Sequence, residues 1–121
     1  MSEFGEDMRL LKERLDLAES VPQAAQAIVD MMAKHPDAIA GIAGSYRFAP
    51  ADGEGAAFRL CGGKVTTLAD GEDADVTVGG KQQAMLDVLR GSHNPVKLLV
   101  TGKLKIKGDI GLLLKVAKLI G

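Results

Sequence analysis

Residues 94–121 read N-P-V-K-L-L-V-T-G-K-L-K-I-K-G-D-I-G-L-L-L-K-V-A-K-L-I-G, and three elements are encoded in that span. Asn94 suits the cap of a short helix with Pro95 at its first position, where proline's fixed φ fits and its missing N–H costs nothing. Gly102 ends that helix. Lys103 to Lys107 then alternates polar and apolar, the period of a half-buried strand with Leu104 and Ile106 inward and lysines outward. Gly108 breaks the strand, and Asp109 is placed to cap a closing helix from Ile110 to about Ile120. At about 100° per residue, its Ile110, Leu112, Leu113, Leu114, Val116, Ala117, Leu119 and Ile120 spread over an arc of about 220°, where a stripe a little over 100° suffices for packing. Only Lys115 and Lys118 mark a wet side. The surplus apolar surface must meet more protein, a second subunit, a membrane or an apolar ligand.

Upstream, Glu6 to Glu19 has the pattern of an amphipathic helix with Met8, Leu11, Leu15 and Ala18 on one face. Ser20-Val-Pro-Gln23 has the form of a capping box, so a second helix starts there, buries Ala24, Ile28, Met31 and Met32, and ends at His35-Pro36. Residues 37–44 predict one helical turn leading into a strand. Strand-like runs follow at Tyr46–Ala49, Ala57–Cys61, Lys64–Leu68 and Ala74–Val78, separated by the turn signals Pro50-Ala-Asp-Gly53, Gly62-Gly63 and Asp70-Gly71. Their spacing implies antiparallel hairpins, with Phe58, Leu60, Ala74, Val76 and Val78 on a dry face. Gly79-Gly80 hands over to a helix from Lys81 to Arg90, with Gly91 at its C-cap. The order of elements is that of an α+β fold with an antiparallel-type sheet covered on one face.

A chain of 121 residues, 46% hydrophobic, fits one folding unit with a real core. With 3% aromatics and no tryptophan, that core is filled mostly by aliphatic residues and methionine. The single cysteine, Cys61, excludes an internal disulfide and suits a reducing compartment. The termini carry no secretory, transit or peroxisomal signal, which makes the cytoplasm the expected location. A net charge of −1 conceals a polarity along the chain: residues 1–80 hold fourteen acidic against seven basic side chains, residues 81–121 two against eight. The lysines read first as a solvated face and second as attraction to anionic head groups.

Catalytic chemistry finds little to stand on. His35 and His93 lack nucleophile partners in any recognisable motif, and Cys61 in a strand is expected to be inert. Asp70, Glu72, Asp73 and Asp75 lack the spacing of a calcium loop, so no metal site is expected. Gly79-Gly80-Lys81 is followed by Gln82, which fails the phosphate-loop signature. Gly108–Gly111 sits at a strand-to-helix turn, but Asp109 would repel an anion there. A pI near 6.1 and scarce aromatics argue against nucleic acid.

Asn94-Pro95, Leu98-Leu99, Gly102-Lys103-Leu104-Lys105-Ile106, Gly108-Asp109-Ile110 and Lys115 resemble the C-terminal signature of the sterol carrier protein 2 family. Tyr46-Arg47-Phe48 and the Ala74–Val78 strand with its following helix are similar to that family's upstream elements. The resemblance covers residues 22–121, leaving residues 1–21 as an additional N-terminal helix. It implies a five-stranded, mainly antiparallel sheet with helices on one face, enclosing an apolar tunnel for fatty acids, fatty acyl-CoAs, sterols or other lipids, without catalysis or cofactor.

The residues expected at such an apolar ligand are Met85, Leu89, Leu98, Leu104, Ile106, Ile110, Leu113, Leu114 and Ala117, each of which also suits a plain core. Lys103, Lys105 and Lys115 are the expected contacts of a carboxylate or phosphate head group. Transient contact with a membrane surface fits the same lysines. The competing reading is an accessory or dimerisation module that uses the closing helix or the N-terminal helix as a homodimer interface. Family members that hold prenylated quinone intermediates imply a third.

Overall fold

The computed structural model describes residues 3–69, 71–90 and 95–120, with side chains except at 3, 4, 95, 96, 99 and 117–120. The elements run α1 (Glu3–Leu17), α2 (Val21–Lys34), α3 (Pro36–Ile39), β1 (Gly44–Pro50), β2 (Ala56–Cys61), β3 (Lys64–Thr67), β4 (Val76–Gly80), α4 (Gln82–Leu89), α5 (Pro95–Val100), β5 (Leu104–Gly108) and α6 (Ile110–Ile120). This is the α+β layout the sequence predicts, with a five-stranded sheet in the order β3-β2-β1-β4-β5. The expected Asn94 and Gly91 caps and the Asp70 turn position lie outside the described residues.

The local signals work as read. Ser20 Oγ accepts from Gln23 N–H at 3.3 Å, and Gln23 Oε1 accepts from Glu19 N–H at 2.9 Å, which satisfies two backbone donors at the start of α2. Asp109 Oδ1 accepts from Gly111 N–H at 2.9 Å at the start of α6. His35 ends α2, its N–H donating to Met32 O.

One topological expectation needs correcting. β1–β2, β2–β3 and β4–β5 are antiparallel, but β4 lies parallel to β1 on the edge away from β2. The apolar positions of β1, Tyr46 and Phe48, gain neighbours on both sides this way: Phe58 and Ala56 from β2, Val76 and Val78 from β4. The chain must therefore cross back between β3 and β4. Arg47 holds that crossing, donating from Nη2 to Ala69 O at 3.1 Å and Glu72 O at 2.9 Å. β4 also begins two residues later than expected and keeps Gly79 and Gly80 within the sheet, paired with Lys105 and Leu104. Ala74 falls outside the strand.

The helices cover one face of the sheet. Tyr46, Phe48, Phe58, Leu60, Val76, Val78 and Leu104 are buried beneath α2, α4 and α6, while Arg59, Lys105 and Lys107 stand on the open face. Three of the chain's four aromatic residues stack there: Tyr46 on Phe58 with centroids 5.2 Å apart, and Phe48 on Phe58 at 6.2 Å. α1 belongs to the same core, with Leu11 and Leu15 buried against α2.

Candidate functional site

Two clefts open around the end of β1. The larger, about 600 Å³, lies between α2 and the strands β1 to β3; Ala25 and Val29 form one wall, Phe48, Phe58 and Val65 the other. The second, about 550 Å³, lies where α4 faces α5 and the start of β5. Both volumes fall within the roughly 300–1,000 Å³ of small-molecule sites. Pro50 borders the first and Ala51 the second, and Ala51 N–H donates to Gly80 O at 2.8 Å, so the β1 end stands between them.

The second cleft grows out of local rules. Lys81 is the extended residue before α4, and Gln82 N–H is capped by Asp52 Oδ1 at 2.7 Å, which fixes the first turn of α4 beside the β1 end. Gly80 has φ of +130°, and a Cβ on it would stand 2.6 Å from Lys103 O, so only glycine lets β5 begin so close to β4. Lys103 N–H donates to Leu98 O at 2.9 Å, closing the α5–β5 turn. Ala84 and Leu98 then supply apolar wall, and Lys81, Lys103 and Asp87 supply charge; Asp87 accepts from Gln83 Nε2 at 3.0 Å.

The structure brings together two of the expected site residues at this cleft, Leu98 and Lys103. Met85, Leu89, Leu104 and Leu113 are buried in the common core; Ile106, Ile110 and Leu114 are half-buried. Lys105 and Lys115 are exposed and stand outside the cleft. The Ala117 side chain lies outside the described residues, as do those of Leu119 and Ile120, on which the 220° arc of α6 partly rests. Sequence reasoning missed Lys81, Ala84 and Ala51 as cleft residues, and the larger cleft altogether. Periodicity marks residues as inward-facing but does not say where two packed layers part.

α6 is seated by polar contacts as well as apolar ones. Tyr46 donates its hydroxyl to Leu112 O at 3.0 Å, and burial, with Asp109 and Asp75 nearby, pushes its pKa up to about 12. Ser45 and Asp75 exchange hydrogen bonds: Ser45 N–H donates to Asp75 Oδ2 at 2.9 Å, Asp75 N–H to Ser45 Oγ at 2.8 Å. Asp75 O also accepts from Asp109 N–H. Two members of the acidic cluster thus have structural partners, Asp75 here and Glu72 with Arg59 at 3.1 Å. Among the described residues no group of three His, Cys, Asp or Glu side chains is close enough to hold a metal ion. His35 Nε2 lies 2.6 Å from Asp7 Oδ2, tying α2 to α1, away from both clefts. His93 lies outside the described residues. Among those residues no helix is long and apolar enough to cross a membrane.

Solved structures of other proteins share this fold. A sec-alkylsulfatase from Pseudomonas sp. superposes with a TM-score of 0.65 at 20% identity over 77% of this chain, which spans only 16% of that enzyme. A ubiquinone synthesis protein, UbiJ-SCP2, gives 0.62 at 17% identity, covering 78% of this chain and 83% of its own. Sterol carrier protein 2 from Yarrowia lipolytica, in its apo form, gives 0.57 at 18% identity, covering 86% and 91%. These are likenesses of fold. Among curated protein sequences none matches significantly. The sequence profile of the SCP-2 sterol transfer family, however, matches residues 24–121, and the chain therefore belongs to that family.

Proposed function

We propose that this protein is a non-catalytic, cytoplasmic lipid-binding and transfer domain that takes a fatty acid, a fatty acyl-CoA, a sterol-like molecule or another apolar lipid, with the holding of a prenylated quinone intermediate as a separate alternative. The observation that carries this reading is the 550 Å³ cleft, in which Ala84 and Leu98 face the same space as Lys81 and Lys103. An apolar chain gains about 0.8 kcal/mol per methylene removed from water. An anionic head group at the rim meets lysines, each worth at most about 1 kcal/mol where exposed. Affinity on this account needs no reacting group. Met85, Leu89, Leu104 and Leu113 form the core that the inner end of a chain would touch, with Ile106, Ile110, Leu114 and Ala117 around it; Lys105 and Lys115 serve head groups reaching beyond the rim.

Native mass spectrometry of the purified protein, with extraction of any bound lipid, tests the reading directly. Displacement of a fluorescent fatty acid by a fatty acid and by the matching alcohol then tests the head-group contact. Lys103→Ala should weaken the acid about threefold to fivefold and leave the alcohol unchanged. Equal loss for both would remove Lys103 from the head-group site, and no displacement by either would sink lipid binding.

A second reading, a homodimer or accessory module, is favoured by α1. Leu10 is 48% and Leu17 78% exposed, one heptad apart beside a 280 Å³ groove against α2. Sedimentation of the wild-type and of a Leu10→Asp, Leu17→Asp variant checks it. A monomer at all concentrations excludes the homodimer.

A further inference from the structure

Val100 is 80% exposed, more than any other large apolar side chain among the described residues. Its direction follows from the helix. Leu98, two residues earlier and about 200° round α5, is buried, so the last turn that drives Leu98 inward turns Val100 out. Lys97, three residues before Val100, shares its exposed face. The turn is held firmly: Thr101 N–H donates to Lys97 O, Thr101 Oγ1 to both Lys97 O and Leu98 O at 3.1 Å, and Lys103 N–H to Leu98 O.

A lone exposed apolar side chain is ordinary on a protein surface. This one sits on α5 between Lys97 and Lys103, and Leu98 and Lys103 are walls of the 550 Å³ cleft. Among the described residues no carboxylate forms an ion pair with Lys97, Lys103, Lys105 or Lys107, and Asp87 is the one acid lining that cleft. A lysine cluster by itself suits any polyanion. An exposed apolar side chain flanked by lysines suits an anionic bilayer, where the lysines meet acidic head groups and the apolar group enters the interface.

We propose that Val100, Lys97 and Lys103 form the face by which this protein docks on anionic membrane surfaces, next to the cleft that Lys103 lines. This rests on the lipid-binding reading of the cleft. Lys105 and Lys107 of the edge strand β5, on the open face of the sheet, are also exposed.

Flotation of the full chain with large vesicles, of phosphatidylcholine alone or mixed with phosphatidylglycerol, tests the proposal. The wild-type should bind the mixed vesicles, less so as salt is raised. Lys97→Ala should lower partition about fivefold, the equivalent of about 1 kcal/mol for one lysine at an anionic surface. Val100→Ser should lower it by at least about threefold. Lys64→Ala, at the far edge of the sheet, should leave it unchanged. Fatty-acid displacement without vesicles should be the same in Lys97→Ala, Val100→Ser and wild-type, since neither residue lines the cleft. The docking face is overturned by absence of wild-type binding, by equal binding to neutral vesicles, by a Lys64→Ala effect as large as that of Lys97→Ala, or by no effect of Val100→Ser. Vesicle binding with the expected variant pattern, but without fatty-acid displacement, would sink the carrier reading and leave the docking face standing.

Discussion

Arg90 joins parts of the chain that are far apart in sequence. Its Nε donates to Leu15 O at 2.9 Å and its Nη2 to Ala18 O at 2.6 Å, carbonyls at the C-terminal end of α1 where a cation is also favoured by the helix dipole. Arg90→Ala should cost about 2–3 kcal/mol in urea unfolding, and Arg90→Lys should recover only part, since a lysine cannot reproduce the planar fork. Tyr46 carries a pH dependence. Its pKa rises from 10.0 to about 12 on folding, chiefly through burial, so its neutral form is the one the fold holds. Its contribution is intact below pH 10 and is lost as pH climbs through about 12. Tyr46→Phe should therefore flatten the alkaline fall in stability over that window, at a cost near neutrality of about 1 kcal/mol for the bond to Leu112. Ser20 and Gln23 were legible in the sequence because a cap is completed within four residues. Arg90 was not, because its partners lie 75 and 72 residues away.

At the scale of elements, α1 is the one whose standing changes most. The sequence pattern marks it as an amphipathic helix, the family resemblance leaves it outside the 22–121 unit, and the family match begins at residue 24. Leu11 and Leu15 are nonetheless 2% and 1% exposed within the common core. Leu15→Ala should destabilise by about 2–4 kcal/mol, and a chain begun at residue 22 should lose cooperative thermal unfolding by circular dichroism. Full retention of stability in that shortened chain would make α1 an appendage. The β4–β5 pair makes the second test. Gly80→Ala sets a Cβ against the Lys103 carbonyl at a positive φ, which should cost about 1–3 kcal/mol and weaken fatty-acid binding, because the strain falls on a wall of the cleft. The strands themselves were visible from period-two alternation, but the parallel partnership of β1 and β4 was not. Alternation states which side of a strand is dry and is silent about which edge it offers.

For the whole molecule, ligand binding and stability are linked. A lipid that binds only the folded state should stabilise it by about 2.7 kcal/mol at a free concentration a hundredfold above its Kd, seen as a rise in melting temperature; a matched short-chain acid should give none. The chain's charge polarity, acidic to residue 80 and basic beyond it, becomes spatial because the basic part contributes α5, the edge strand β5 and the cleft rim. By itself the sequence determined the α+β class, the order of elements, the dry and wet faces of the sheet and the likeness to the family. Those properties are written in spacings of two to four residues, which local sterics and burial enforce. Tertiary structure alone decided that β4 joins β1 in parallel, that α1 enters the core, and that Leu98 and Lys103 meet Lys81 and Ala84 around one cleft. Each of these depends on how separate layers pack, and a gap between packed layers is set by the shapes of residues distant in the chain.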